Sequence, residues 1–147
     1  MLQQCNIWRA GGQKIVFTNG CFDILHHGHL TLLAQAAELG NKLVLALNTD
    51  ASVRKLKGPE RPINHEEDRA FQAASLLCVD GVCLFTEDTP EELVKLLKPD
   101  VLVKGGDYTL TEIVGAQYVL SYGGKVEIIP FVNGYSTTSI IGRIKQL

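Results

Sequence analysis

His26 and His29 bracket Gly28 in the run Thr18-Asn19-Gly20-Cys21-Phe22-Asp23-Ile24-Leu25-His26-His27-Gly28-His29. Imidazoles beside a glycine suit charge-assisted hydrogen bonds to a phosphoryl group, each worth about 1.5–3 kcal/mol and more where charge grows in a transition state. The flanking residues place them at a strand-to-helix junction. Ile15, Val16 and Phe17 are a short run of β-formers, and Leu30, Leu32, Leu33, Ala36, Ala37 and Leu39 recur at helical spacing until Gly40. A helix N-terminus there offers unpartnered N–H groups and partial positive charge to an anion. Gly20 and Gly28 are expected to supply positive φ or a close approach of ligand to backbone. Other readings of the same residues remain: a core His26 with His27 and His29 solvated, or two zinc ligands without a third at a recognisable interval. A dinucleotide turn does not fit, because Gly-x-Gly-x-x-Gly is absent. Cys21 lies in the same turn, yet no spacing names a general base that would make it a nucleophile.

Further polar groups gather in three segments. Arg54, Lys55, Lys57 and Arg61 are offset within their stretch by Glu60 alone, so Lys55 and Lys57 are candidates to meet phosphate, with a solvated basic loop as the alternative. Lys104-Gly105-Gly106-Asp107-Tyr108 reads as a turn able to touch base, ribose or acceptor. Gly134-Tyr135-Ser136-Thr137-Thr138 leads into a helix and supplies hydroxyl and N–H donors, one hydroxyl being expected to cap. Asp23 is expected to be architectural, capping a helix or orienting a histidine, with a metal role as the alternative. Asp50 suits a hydroxyl contact or a cap, His65 a solvated loop, and Arg69 either phosphate or a surface ion pair with Glu66 or another helical carboxylate.

Strands and helices alternate along the chain. Strands are expected near 15–17, 43–47, 81–85, 101–103 and 126–129, and helices near 30–39, 66–77, 90–97, 110–122 and from 137. That alternation predicts an α/β fold: a Rossmann-like, doubly wound, five-stranded parallel sheet with helices on both faces. Ligands of such sheets bind outside the carboxyl ends of the strands, where strand order reverses, and the loops 19–23, 48–57, 104–108 and 133–138 all fall on that rim. The 147 residues suit a single domain, 1–147, with 1–13 as an N-terminal extension. A formal charge of −2 excludes a general nucleic-acid surface. No apolar run is long enough to cross a bilayer and no signal-type core stands at the start, so a cytoplasmic location is expected, with Cys5, Cys21, Cys78 and Cys83 as free thiols.

The pattern His26-x-Gly28-His29 after Asn19-Gly20-x-Phe22-Asp23 resembles the cytidylyltransferase-like family of nucleotidyltransferases. With the segments 54–58, 102–108 and 134–138 in the same order, it is similar to the branch of bacterial ADP-heptose synthase adenylyltransferase domains. That resemblance, running from about Lys14 onward, implies direct in-line transfer of AMP from ATP to a heptose 1-phosphate, with Mg²⁺ travelling on the triphosphate and no metal site in the protein. It implies catalytic roles for His26, His29, Lys55 and Lys57. Nucleotide contacts are implied for Asn19, Gly20, Cys21, Phe22, His26, Gly28, His29, Lys57, Lys104, Gly106, Asp107, Gly134, Tyr135, Ser136, Thr137 and Thr138. It further implies a homodimer, and a sugar kinase, separate or on a longer parent chain, to supply the acceptor. A glycerol 3-phosphate cytidylyltransferase is the nearest alternative, but it carries an arginine before its Gly-x-Ser-Thr-Thr motif, and 130–134 contains none. A nucleotide-binding regulator without turnover is the alternative of another class.

Overall fold

The computed structural model describes residues 1–147. In chain order it contains α1 (Leu2–Ala10), β1 (Ile15–Gly20), α2 (His27–Ala37), β2 (Lys42–Asn48), α3 (Asp50–Lys57), α4 (Glu66–Ala74), β3 (Gly81–Phe85), α5 (Glu91–Leu97), β4 (Val101–Gly105), a 3-10 turn (Leu110–Glu112), α6 (Ala116–Ser121), β5 (Lys125–Ile129) and α7 (Thr137–Ile144). All five strands are parallel, in the order β3-β2-β1-β4-β5. β1 sits between β2 and β4, with Val16 opposite Leu43 on one side and Val101 on the other. The chain first winds outward to β3 and then crosses back to β4. The reversal therefore lies between β1 and β4, and this is the doubly wound arrangement expected.

The inner strands read as nearly unbroken apolar runs because both faces are covered. Alternate residues divide between two cores. On one face Ile15, Phe17, Val44, Ala46 and Leu102 pack with Cys5 of α1, Val94 and Leu97 of α5, and Ala116 and Val119 of α6. On the other, Val16, Leu43, Leu45, Leu47 and Val103 pack with Leu33 and Ala36 of α2 and Ala73 of α4. Each buried Val, Leu, Ile or Phe among them contributes about 1.5–3 kcal/mol, and each alanine less. Together the two cores hold the carboxyl rim of the sheet rigid.

Three local expectations differ from the structure. Residues 2–10, expected only as an extension, form α1: Cys5 is fully buried, and the Arg9 guanidinium donates at 2.7 Å to the Leu97 carbonyl at the end of α5. The expected loop 48–57 contains α3, started by Thr49, whose hydroxyl accepts from the Ser52 N–H at 3.4 Å, and anchored by buried Val53. The expected helix over 110–122 is broken. Thr109 and Glu112 close a capping box on the 3-10 turn, and Gly115 takes a positive φ of 86° before α6 begins.

Candidate active site

The turn between β1 and α2 is built on two histidines that do unlike work. His26 is the N-cap of α2, in extended conformation, and its Nδ1 accepts from the His29 N–H at 3.3 Å. Accepting there leaves the neutral ring its proton on Nε2, free for a ligand. His29 returns one helical turn later, so the two rings stack with centroids 3.8 Å apart and planes 17° from parallel, while Phe22 packs on His29 at 4.7 Å. Burial lowers the pKa of His26, and burial together with the neighbouring His26 lowers that of His29 to about 4. Both imidazoles are thus neutral near pH 7, and they offer N–H dipoles to an anion. His29 Nδ1 is buried without a hydrogen-bond partner.

The glycines act through space rather than through φ. Neither Gly20 nor Gly28 adopts the left-handed region; Phe22 does, at φ 46°. A β-carbon at Gly28 would lie 3.2 Å from the His26 ring and 3.4 Å from the Tyr135 β-carbon, so its absence lets the capping ring fold back onto the helix. At Gly20 the equivalent contact is 2.9 Å to the Phe22 ring.

A buried ionic frame, illegible in the sequence, fixes this turn from below. The Asp23 carboxylate accepts from the Arg61 Nε at 2.5 Å and from the backbone N–H groups of Ile63 and Asn64, both at 2.8 Å. It neither caps a helix nor orients a histidine, and those donors leave it no role as a metal ligand. Arg69, expected at phosphate or in a surface ion pair with Glu66 or another helical carboxylate, does pair with a carboxylate that opens α3 but is buried rather than on the surface: Nη1 donates to the Cys21 carbonyl at 2.7 Å, Nη2 to Asp50 at 2.8 Å and Nε to the Asn64 carbonyl at 3.0 Å. Asp50 also meets exposed His65 at 3.1 Å. Burial pushes the Asp50 pKa up, but the hydrogen bonds and charges of Arg69 and His65 outweigh it and hold the group below the usual carboxylate range.

Cys21 registers the field around the turn. Burial raises its thiol pKa, while Lys57, Arg69 and Arg61 pull it down. The thiol donates only to Asn48 Oδ1, at 3.8 Å, and stays protonated, which does not suit a nucleophile. Of the cations near it, Arg61 and Arg69 are consumed by Asp23 and Asp50. Lys57 at the end of α3 and half-buried Lys104 at the end of β4 have no acidic partner, and burial lowers the Lys104 pKa. Lys55 is not brought to the turn. It lies two residues from Lys57 and so on the opposite side of α3, with its exposed amine 3.1 Å from Asp88 beyond β3.

Asn19 and Gly20 end β1, and Gly106, at φ 131°, follows β4 with its N–H on the Ile129 carbonyl at 2.9 Å. Asp107 is exposed beside it. The α7 start closes the other side: Gly134 has φ 84°, Ser136 Oγ caps Ser139 N–H at 3.0 Å, and Thr137 and Thr138 open the helix. Tyr135 packs on His27 at 5.0 Å. Between α2 and α7 runs a cleft of about 420 Å³ lined by His26, His27, Asn133, Gly134, Tyr135, Ser139, Ile140 and Arg143. Ser139 and Arg143 escaped the sequence reading, although their four-residue spacing beyond Ser136 places them on one helix face. The assembly can therefore bind a polyphosphate between two helix N-termini, two hydrogen-bonding imidazoles and two unpaired lysines.

The family described as cytidylyltransferase-like matches residues 17–143. The bifunctional protein HldE of Trichlorobacter lovleyi is 59% identical over 138 residues, covering 94% of this chain and 28% of that protein. HldE of Marinomonas sp. is 55% identical over 141 residues, covering 96% and 30%. The chain thus spans less than a third of the length of these curated relatives. A lipopolysaccharide core biosynthesis protein from Thermoplasma volcanium superposes with a TM-score of 0.67 and 29% identity, covering 85% of this chain and 100% of that one. A pantoate-beta-alanine ligase from Francisella tularensis, complexed with beta-gamma ATP and beta-alanine, shares the fold at a TM-score of 0.59 and 14% identity, covering 99% and 76%. With the family match running from β1 through the motif turn to α7, the chain belongs to the cytidylyltransferase-like family of nucleotidyltransferases.

Proposed function

We propose that this chain transfers an adenylyl group from MgATP to a sugar 1-phosphate, a heptose 1-phosphate in particular, and releases pyrophosphate. The observation that carries the reading is the stacked His26–His29 pair at the α2 N-terminus, on the rim where β1 and β4 diverge. The choice of nucleotide and acceptor is supported by the resemblance to ADP-heptose synthase and by 59% and 55% identity to HldE proteins. A sugar kinase, on the same polypeptide or another, would supply the acceptor, and a homodimer is the working assembly.

An oxygen of the acceptor phosphate attacks the α-phosphorus, forming the new P–O bond as the bond to the bridging oxygen of pyrophosphate breaks. That oxygen is already ionised, so no base is required, and catalysis reduces to positioning and electrostatics. His26 Nε2–H and His29 meet the α-phosphoryl oxygens, Lys57 and Lys104 balance charge from the two sides of the Cys21 turn, and the Ser136–Thr138 segment holds the departing phosphates. Asn19, Gly20, Phe22, Gly28, Gly106, Asp107, Gly134 and Tyr135 shape the walls. Mg²⁺ enters as part of the substrate, held by phosphate and water.

Pyrophosphate release tests this, with ATP and CTP each offered with D-glycero-D-manno-heptose 1-phosphate, as both anomers, and with glycerol 3-phosphate. Turnover is expected with ATP and a heptose phosphate, and to fall at least about tenfold in His26→Ala and His29→Ala. CTP with glycerol phosphate would overturn the substrates, and normal turnover in both histidine variants would overturn the mechanism.

A further inference from the structure

Only two buried side-chain polar atoms in this chain lack a hydrogen-bond partner, the Thr18 hydroxyl and Nδ1 of His29. Buried polar groups are nearly always paired, so these two orphans call for a reason. They share one layer of the molecule. Alternate residues of β1 face alternate sides of the sheet, and Val16, two positions before Thr18, packs in the core that Leu33 and Ala36 of α2 cover. Leu45 and Val103, beside Thr18 on the neighbouring strands, belong to that same core. Thr18 thus puts a wholly buried hydroxyl beneath α2, amid apolar side chains. His29 lies one helical turn before Leu33, on the same face of α2 and nearer the rim. Gly20 is the next residue of β1 on this side; a β-carbon there would meet the Phe22 ring, and that ring packs on His29. The two unpaired atoms therefore occupy one step of the interface between β1 and α2, with Leu33 on one side and Phe22 on the other.

We infer that the Thr18 hydroxyl is the donor to His29 Nδ1, directly or through one enclosed water, and is the positioning residue that keeps the His29 proton on Nε2; this rests on reading the site as one that meets a phosphoryl anion. A neutral imidazole carries one N–H and one acceptor nitrogen. Nδ1 is the enclosed nitrogen of His29, which leaves Nε2 to meet an anion, and Nε2 attracts an anion only while it holds the proton. Nδ1 must then accept. The Ile24 carbonyl also faces the ring, but a carbonyl has no hydrogen to give and by itself would draw the proton to Nδ1. Thr18 is the one donor in this layer with nothing else to bind. Rotation of its side chain about χ1 makes the link, or a single water does, with Thr18, His29 and the Ile24 carbonyl as its three partners. His26 is arranged to the same end, its Nδ1 accepting from the His29 N–H. Packing gives no reason for the hydroxyl, since valine has the same shape and buries no polar atom.

The test reads the tautomer itself. In long-range proton–nitrogen NMR spectra of the full chain labelled with ¹⁵N at histidine, the His29 ring, assigned by its loss in His29→Asn, is expected in the neutral Nε2–H form at pH 7. Thr18→Val is expected to move that proton to Nδ1, toward the Ile24 carbonyl, while the thermal midpoint stays within about 4 °C of the parent. Its kcat should fall about 10- to 100-fold, with KM for MgATP changed less than about threefold. Thr18→Ser keeps the hydroxyl and should keep the parent tautomer, with kcat within about threefold. An Nδ1–H tautomer in the parent would overturn the assignment. So would an unchanged His29 spectrum in Thr18→Val, or a Thr18→Ser chain as impaired as Thr18→Val. The spectra need no substrate, so the adenylyl-transfer reading is judged apart. If no nucleotide and acceptor pair releases pyrophosphate while the tautomer still follows residue 18, that reading falls and the Thr18–His29 link stands; turnover with a tautomer indifferent to residue 18 sinks only the link.

Discussion

Arg69→Met removes a guanidinium whose side chain is fully buried and whose three hydrogen bonds run to three separate segments, the Cys21 turn, Asp50 at the start of α3, and the Asn64 carbonyl ahead of α4. Methionine fills much of the volume, so the main loss is electrostatic. Asp50, whose side chain is 15% exposed, loses its buried partner and keeps only the exposed His65 ring. Breaking a buried pair from one side costs about 3–5 kcal/mol. At roughly 2–4 °C per kcal/mol for a chain of this size, the thermal midpoint should fall by about 6–20 °C, while total stability of about 5–15 kcal/mol leaves most molecules folded at 25 °C. The assay is a double-mutant cycle by thermal and urea unfolding. Asp50→Asn in the Arg69→Met background removes the stranded charge and should recover part of the loss, with a coupling of about 0.5–3 kcal/mol. Lysine should not substitute, since one ammonium cannot span three directions. Freed from Arg69, the Cys21 carbonyl lets the histidine turn shift, and kcat/KM should drop about 10- to 100-fold. Strictly additive unfolding energies, or a midpoint within 2 °C or so of the parent, would refute the reasoning.

Two other consequences are open to measurement. Lys57→Ala should lower kcat/KM at least about tenfold, whereas Lys55→Ala should change it less than about twofold, because the exposed pair with Asp88 is worth only about 0–1 kcal/mol; the reverse pattern would show that α3 turns its other side to the site. His29 has a folded pKa of about 4 against 6.5 unfolded, so below pH 6.5 the unfolded chain binds more protons and stability is lost as pH falls toward 4, by roughly 3 kcal/mol. Urea unfolding at pH 7 and pH 4.5 should show a smaller pH effect in His29→Asn than in the parent; equal effects would count against the buried neutral ring.

What the sequence disclosed follows from what periodicity can carry. The inner strands were legible because burial on both faces demands apolar runs, and the motif turn because glycines and histidines at a strand-to-helix junction leave few alternatives. α3 was not, since Val53 and Ser52 alone are buried in an otherwise polar helix. α1 was missed because its wholly buried residue is a cysteine, which marks no helical stripe. Arg69 misled for a different reason: Glu66 is the near neighbour in sequence, but the actual partner, Asp50, is 19 residues away and meets it only once β2 and α4 are packed. The two glycines of the turn were placed correctly, but neither takes the positive φ that was one of the two expected causes, because spacing records that a side chain is missing and not which contact its absence permits.

The way His26 caps α2 fixes more than the start of a helix. With Nδ1 committed to the His29 N–H, a second proton on that ring could be added only by breaking the cap. His29, buried and stacked against it, resists protonation as well. Neither ring is then a stage for proton exchange, and nothing in the pair distinguishes an attacking phosphate from a departing one. In the proposed reaction, a catalyst built like this would be as ready to consume pyrophosphate as to release it. The direction of net synthesis would be set outside the protein, by whatever removes pyrophosphate from solution.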